Sequence, residues 1–96
     1  MKSSLNPEIE QALGPLVSSL AKLSYTPSKS SVSSAFGNFA VSFRGPGQEF
    51  QIARDRGQFI VSGPSQQELE QAGLWRAFHG VSELAQPLLQ WVASEA

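Results

Sequence analysis

The chain contains no cysteine. That excludes a disulfide framework, a thiolate zinc site and a cysteine nucleophile, and it is compatible with a reducing compartment. Excess charge of either sign is also missing: seven lysines and arginines stand against eight aspartates and glutamates, for a net charge of −1. No bulk electrostatic drive toward nucleic acid follows from such a balance. The basic residues Lys2, Lys22, Lys29, Arg44, Arg54, Arg56 and Arg76 are dispersed, so there is neither a basic run nor a basic membrane-binding helix. Long hydrophobic runs are absent as well. The longest is three residues, too short to span a bilayer. The stretch from Met1 to Glu8 lacks the apolar segment of a signal peptide, and Glu8 and Glu10 interrupt the place it would occupy.

Residues that carry chemistry are equally scarce. His79 is the single histidine. A general base needs a partner and a cleft. Glu83, four residues on, would orient His79 if the following helix starts early; the plain alternative is a surface or helix-cap histidine. No serine sits in a nucleophile elbow. Glu68 and Glu70 are two apart and point to different faces of a helix, so they do not form a metal site. Gly45-Pro46-Gly47 resembles a phosphate loop only superficially, because Pro46 removes a donor and no Lys-Ser/Thr follows. The reading is therefore a non-enzymatic, cytoplasmic chain with no catalytic residue, metal or cofactor, and with neither nucleic acid nor membrane as its partner.

What is present suffices for one compact unit. The 96 residues, 41% of them apolar, suit a single domain over 1–96. A chain of this size buries roughly 60–70% of its unfolded surface. Asn6-Pro7 reads as a helix start, with asparagine as cap and proline at the first position. Ile9, Leu13, Leu16, Val17, Leu20 and Leu23 then form one helical stripe. Gly14-Pro15 interrupts it, predicting a kink or two abutting pieces. Residues 24–31, Ser-Tyr-Thr-Pro-Ser-Lys-Ser-Ser, read as a loop.

From Val32 to Val61 the pattern is that of consecutive hairpins. Gly37-Asn38 is a two-residue turn signal. Closed tightly, it sets Phe36 against Phe39, Ser34 against Val41 and Val32 against Phe43, all on one face. A four-residue loop at Gly45-Pro46-Gly47 pairs Arg44 with Glu49 and Phe43 with Phe50. The last turn admits two registers. A three-residue loop, Asp55-Arg56-Gly57, buries Ile60; a two-residue Arg56-Gly57 turn buries Phe59 and Val61, and the count of apolar residues favours it.

Ser65-Gln66-Gln67-Glu68 is a capping box opening a short helix that Gly73 stops. Leu74 to Phe78 reads as a turn or short helix. Trp75, Arg76 and Phe78 are residue types that interfaces favour, but Trp75 is expected in the core. Ser82 caps a final helix through Val92, with Leu84, Leu88, Trp91 and Val92 as its buried side. Pro87 lies past the free first turn, so the helix begins later or kinks there. The product is an α+β fold: an N-terminal helix, a four-stranded antiparallel meander, and C-terminal helices packed on one sheet face.

Two surfaces remain as contact candidates. The outer sheet face carries Ala40, Ser42, Arg44, Glu49, Gln51, Ala53, Ile60 and Ser62, small or neutral residues around one charged pair. It reads as a partner surface, a homodimer surface, or a plain exterior. The hairpin tip carries Arg54, Asp55, Arg56 and Gln58. Paired arginines offer forked donors for a carboxylate or phosphate, or else form a local network with Asp55 that stiffens the turn.

Phe36-Gly37-Asn38-Phe39-Ala40-Val41-Ser42-Phe43, followed by Phe50-Gln51-Ile52-Ala53-Arg54-Asp55-Arg56-Gly57-Gln58-Phe59-Ile60-Val61, resembles a set of small, mostly uncharacterised bacterial α+β proteins. These share an aromatic-Gly-Asn strand entry and an Arg-Asp-Arg-Gly-Gln hairpin. Some of them resemble immunity proteins, which bind and block a cognate toxin. The resemblance implies a protein-binding module, possessing no chemistry of its own, whose partner is another protein such as a toxin. The partner-binding candidates are Arg54, Asp55, Arg56, Gln58, Arg44 and Gln51. The alternative is a structural or regulatory domain that forms a homodimer through the outer sheet face or an exposed strand edge.

Overall fold

The computed structural model describes residues 6–33, 38–63 and 65–95. Asn6 caps the first helix, α1 (Pro7–Leu13), its side-chain oxygen accepting from the Glu8 N–H at 2.7 Å. Pro15 cannot continue that helix, because it lacks an N–H and its ring collides with the preceding turn. Gly14 breaks the run at φ +55°, and Pro15 becomes the first residue of α2 (Pro15–Lys22). The interruption thus takes the form of two abutting helices. Their common stripe is kept: Ile9, Leu13, Leu16 and Leu20 are buried, and Val17 and Leu23 pack against them. Each fully buried aliphatic side chain of this kind contributes about 1.5–3 kcal/mol.

Four strands follow in a meander, β1 (Thr26–Val32), β2 (Phe39–Arg44), β3 (Glu49–Asp55) and β4 (Gln58–Ser62), in sheet order β1-β2-β3-β4, all antiparallel. Strand β1 corrects the sequence reading, which took residues 24–31 for a loop. It also corrects the first register. Val32 lies opposite Phe39 rather than Phe43; Ser30 takes the place opposite Val41, and Pro27 the place opposite Phe43. The Ser33 N–H donates to the Asn38 carbonyl at 2.8 Å, so Asn38 pairs across the hairpin and is not one of its two turn residues. The expected placements of Phe36 and Ser34 lie outside the described residues. Val32, expected in the core, is 38% exposed.

The other two hairpins have the expected registers. Arg44 faces Glu49 and Phe43 faces Phe50. Asp55 faces Gln58 across a two-residue turn with Arg56 at φ +55° and Gly57 at φ +82°. Two positive φ values in succession match the right-handed twist of the flanking strands. Phe59 and Val61 are buried, and Ile60 faces outward.

Helix α3 (Gln66–Gln71) is capped by Ser65, whose hydroxyl oxygen accepts from the Glu68 N–H at 3.3 Å. It ends in a Schellman turn: Gly73, at φ +76°, donates to the Glu70 carbonyl, and Leu74 donates to that of Leu69. This reversal buries Leu74 and leaves Trp75 half exposed, against the expectation of a core tryptophan. Helix α4 (Val81–Glu95) begins one residue before Ser82 and runs on through Pro87 and past Val92, so the later start considered from the sequence is not taken. Its buried side is Leu84, Leu88, Trp91 and Val92. Trp91 meets Phe50 edge-on at 5.8 Å, and Phe50 stacks on Phe43 at 5.6 Å, fastening α4 to the sheet. Helices and sheet share one core on the face defined by Phe39, Val41, Phe43, Phe50, Ile52, Phe59 and Val61. The architecture is α+β, as the residue pattern predicts.

Candidate functional site

Because strand side chains alternate, the cross-strand pairs sort the candidates by face. Arg44, Gln51, Asp55 and Gln58 fall in register with Ala40, Ser42 and Ala53 on the outer face. Among the described residues no helix covers that face; Ala40, Ser42, Gln51 and Ala53 at its middle are half-buried. Two shallow depressions, of about 340 and 290 Å³, both lined by Ser42 and Gln51, run across its centre. Arg44 and Glu49 form an exposed pair at 3.6 Å on its rim. Such a pair contributes about 0–1 kcal/mol and leaves both groups available to a partner.

The sequence reading missed part of this face. Lys29 and Ser31 of β1 stand opposite Ser42 and Ala40, and so extend the outer surface by a strand. Only the spacing of Lys29 and Ser31 hinted at it, since a strand exposed along its length carries no apolar alternation.

Arg54 belongs elsewhere. It lies on the helix-covered side, with its guanidinium carbon 5.0 Å from the Phe39 ring centre and Nη2 3.9 Å from Oε2 of Glu8 in α1. It tacks α1 to the sheet. Arg54 and Arg56 therefore do not form a forked pair at the tip. Arg56 sits in the turn, where its backbone N–H donates to the side-chain oxygen of Asn38 at 2.9 Å. That bond joins the two stretches that stand out in the sequence, the Gly-Asn entry of β2 and the Arg-Asp-Arg-Gly-Gln hairpin, and stiffens the tip. Asp55, Arg56 and Gln58 remain exposed.

His79 is exposed, and the Glu83 carboxylate accepts from its backbone N–H at 3.2 Å, which is a helix-start contact. Arg76 lies over the Phe78 ring at 4.6 Å. Among the described residues, no group of three or more histidines, aspartates or glutamates comes together to hold a metal ion. No helix among them is long and apolar enough to cross a membrane. Two grooves of about 390 Å³, between α3 and α4 and between α2 and α4, are lined by none of the partner-binding candidates. No protein-family model, curated protein or solved structure matches the chain.

Proposed function

We propose that this chain is a cytoplasmic protein-binding module that docks a partner protein on its outer sheet face. What carries the reading is the asymmetry of the sheet: one face packs into the core with the helices and the loop residues Tyr25, Leu74 and Phe78, while the other, among the described residues, is covered by no helix and floored by Ala40, Ser42, Gln51 and Ala53. Small neutral side chains are cheap to desolvate, and the rim supplies Lys29, Arg44, Glu49, Asp55 and Gln58 for specificity. Four strands of five to seven residues present roughly 400 Å². A stable complex buries about 800 Å² per partner, so the footprint extends past the sheet to the Arg56 tip or the Trp75 loop. An immunity-type inhibitor, the form that the sequence resemblance implies, would act in this way by covering a toxin's working surface.

Affinity capture of the tagged protein from a lysate of its source cells tests the reading, with the captured partner purified and remixed. Binding is expected to be lost in Ala53→Glu, which sets a charge at the centre of the face, and retained in Arg54→Ala. A partner that tolerates Ala53→Glu and requires Arg54 overturns the assignment. Recovery of the protein's own copies alone, dispersed by Ala53→Glu, turns the same face into a homodimer surface.

A further inference from the structure

The two edges of the sheet are treated differently. At β4, the Phe59 N–H donates to the Phe78 carbonyl at 2.8 Å and the Phe78 N–H donates to that of Phe59 at 2.9 Å, so a segment of the chain already occupies that edge. Among the described residues strand β1 has no strand on its far side, and every one of its residues except Pro27 is exposed. The bond from Ser33 to Asn38 sets the phase of the β1–β2 ladder. Since antiparallel pairs alternate, Ser31 and Lys29 turn their backbone groups toward β2, while Ser30 and Val32 turn theirs outward. An edge of that kind is a template for the strand of another molecule.

We infer that β1 is a guarded edge that keeps the chain from adding a second copy of itself strand to strand. Three features at its first half act together. Pro27 has no N–H to offer an incoming strand. The register shift between Pro27 and Lys29 places Ser28 in a bulge, which interrupts the row of evenly spaced backbone groups. The bulge is pinned, with the Ser28 hydroxyl within donating distance of Glu49 Oε2 (3.2 Å) and of the Ser42 carbonyl (3.4 Å). Lys29 adds charge: a two-fold strand pair centred near it sets two ammonium groups side by side. Only the stretch from Ser30 onward is left for pairing, short of the usual strand length of about 5–6 residues. Edge-to-edge self-association, one of the two routes the sequence leaves open, is thereby closed, and contact is directed to the sheet face. This inference stands whether or not that face binds a partner.

Sedimentation velocity from micromolar to near-millimolar concentration tests it on the wild type, Ser30→Pro, Pro27→Thr/Lys29→Val, and the same double variant carrying Ser30→Pro. Circular dichroism establishes that each is folded. The wild type is expected to show no association that Ser30→Pro relieves. The double variant is expected to associate roughly tenfold more strongly or better. Ser30→Pro, which deletes an outward N–H, is expected to reverse that gain. Should the double variant not fold, Lys29→Val alone carries the comparison, since its side chain is exposed and outside the core. Folded variants that stay as monomeric as the wild type overturn the inference, as does wild-type association that Ser30→Pro abolishes.

Discussion

The ring of Tyr25 occupies the space in which a Cβ on Gly45 would stand, with three ring carbons within 2.6 Å of that position. Tyr25 is fully buried and packs at 5.7 Å against Phe50. It cannot swing away without opening the core. The glycine that begins the β2–β3 turn is therefore required by this close approach, since its φ is not positive. Gly45→Ala is expected to destabilise the fold by about 3 kcal/mol, the upper end of the range for overpacking a close-packed site. Urea unfolding measures the loss. In a Tyr25→Leu background the same substitution should cost far less, and equal costs in both backgrounds would show that the ring is not the obstacle.

Ser24 closes α2 in a Schellman turn of the kind that Gly73 provides for α3. Its N–H donates to the Ala21 carbonyl, and the Tyr25 N–H donates to that of Leu20, both at 2.9 Å. The position stands at φ +71°, where a serine is strained and a glycine is not. Ser24→Gly is expected to stabilise the protein by about 0.5–1 kcal/mol, after the added freedom of the unfolded chain is subtracted. Thermal unfolding should show a higher midpoint. A lower one means that the serine side chain contributes more than its backbone strain removes.

The sequence displays the elements whose side chains are sorted by burial and conceals those held by backbone alone. Phe43, Phe50, Ile52, Phe59 and Val61 announce a face, and their registers follow from it. Strand β1 has no such face. Its serines are exposed on both sides, and it exists because β2 offers an unpaired ladder. The same principle explains Trp75. Composition favours a core tryptophan, but the turn at Gly73 delivers Leu74 onto Leu69 and hands the next buried place to Phe78, beside Phe59. Of the candidate site, Arg44, Gln51, Asp55 and Gln58 could be assigned to one face by counting in twos. The same count puts Arg54 on the opposite face, where Phe39 and Glu8 engage it. Its place in an Arg-Asp-Arg run hides this, because runs are read along the chain and faces are not.

Amide hydrogen exchange separates the two kinds of strand edge residue by residue. The ladder phase predicts slow exchange at Ser31 and Ser33, whose N–H groups point to β2, and exchange roughly tenfold faster or more at Ser30 and Val32, which face solvent. Across the sheet, the bonds exchanged between Phe59 and Phe78 should protect both amides to a similar degree. Phe78→Ala keeps those backbone groups but removes a buried ring, so it should cost about 3–5 kcal/mol and release Phe59 and Phe78 together. Equal protection at Ser30 and Ser31 would place a second strand on β1 in solution, and would contradict both the phase and the guard. The alternating pattern, with protection only toward β2, is what an edge held apart from its own kind must show.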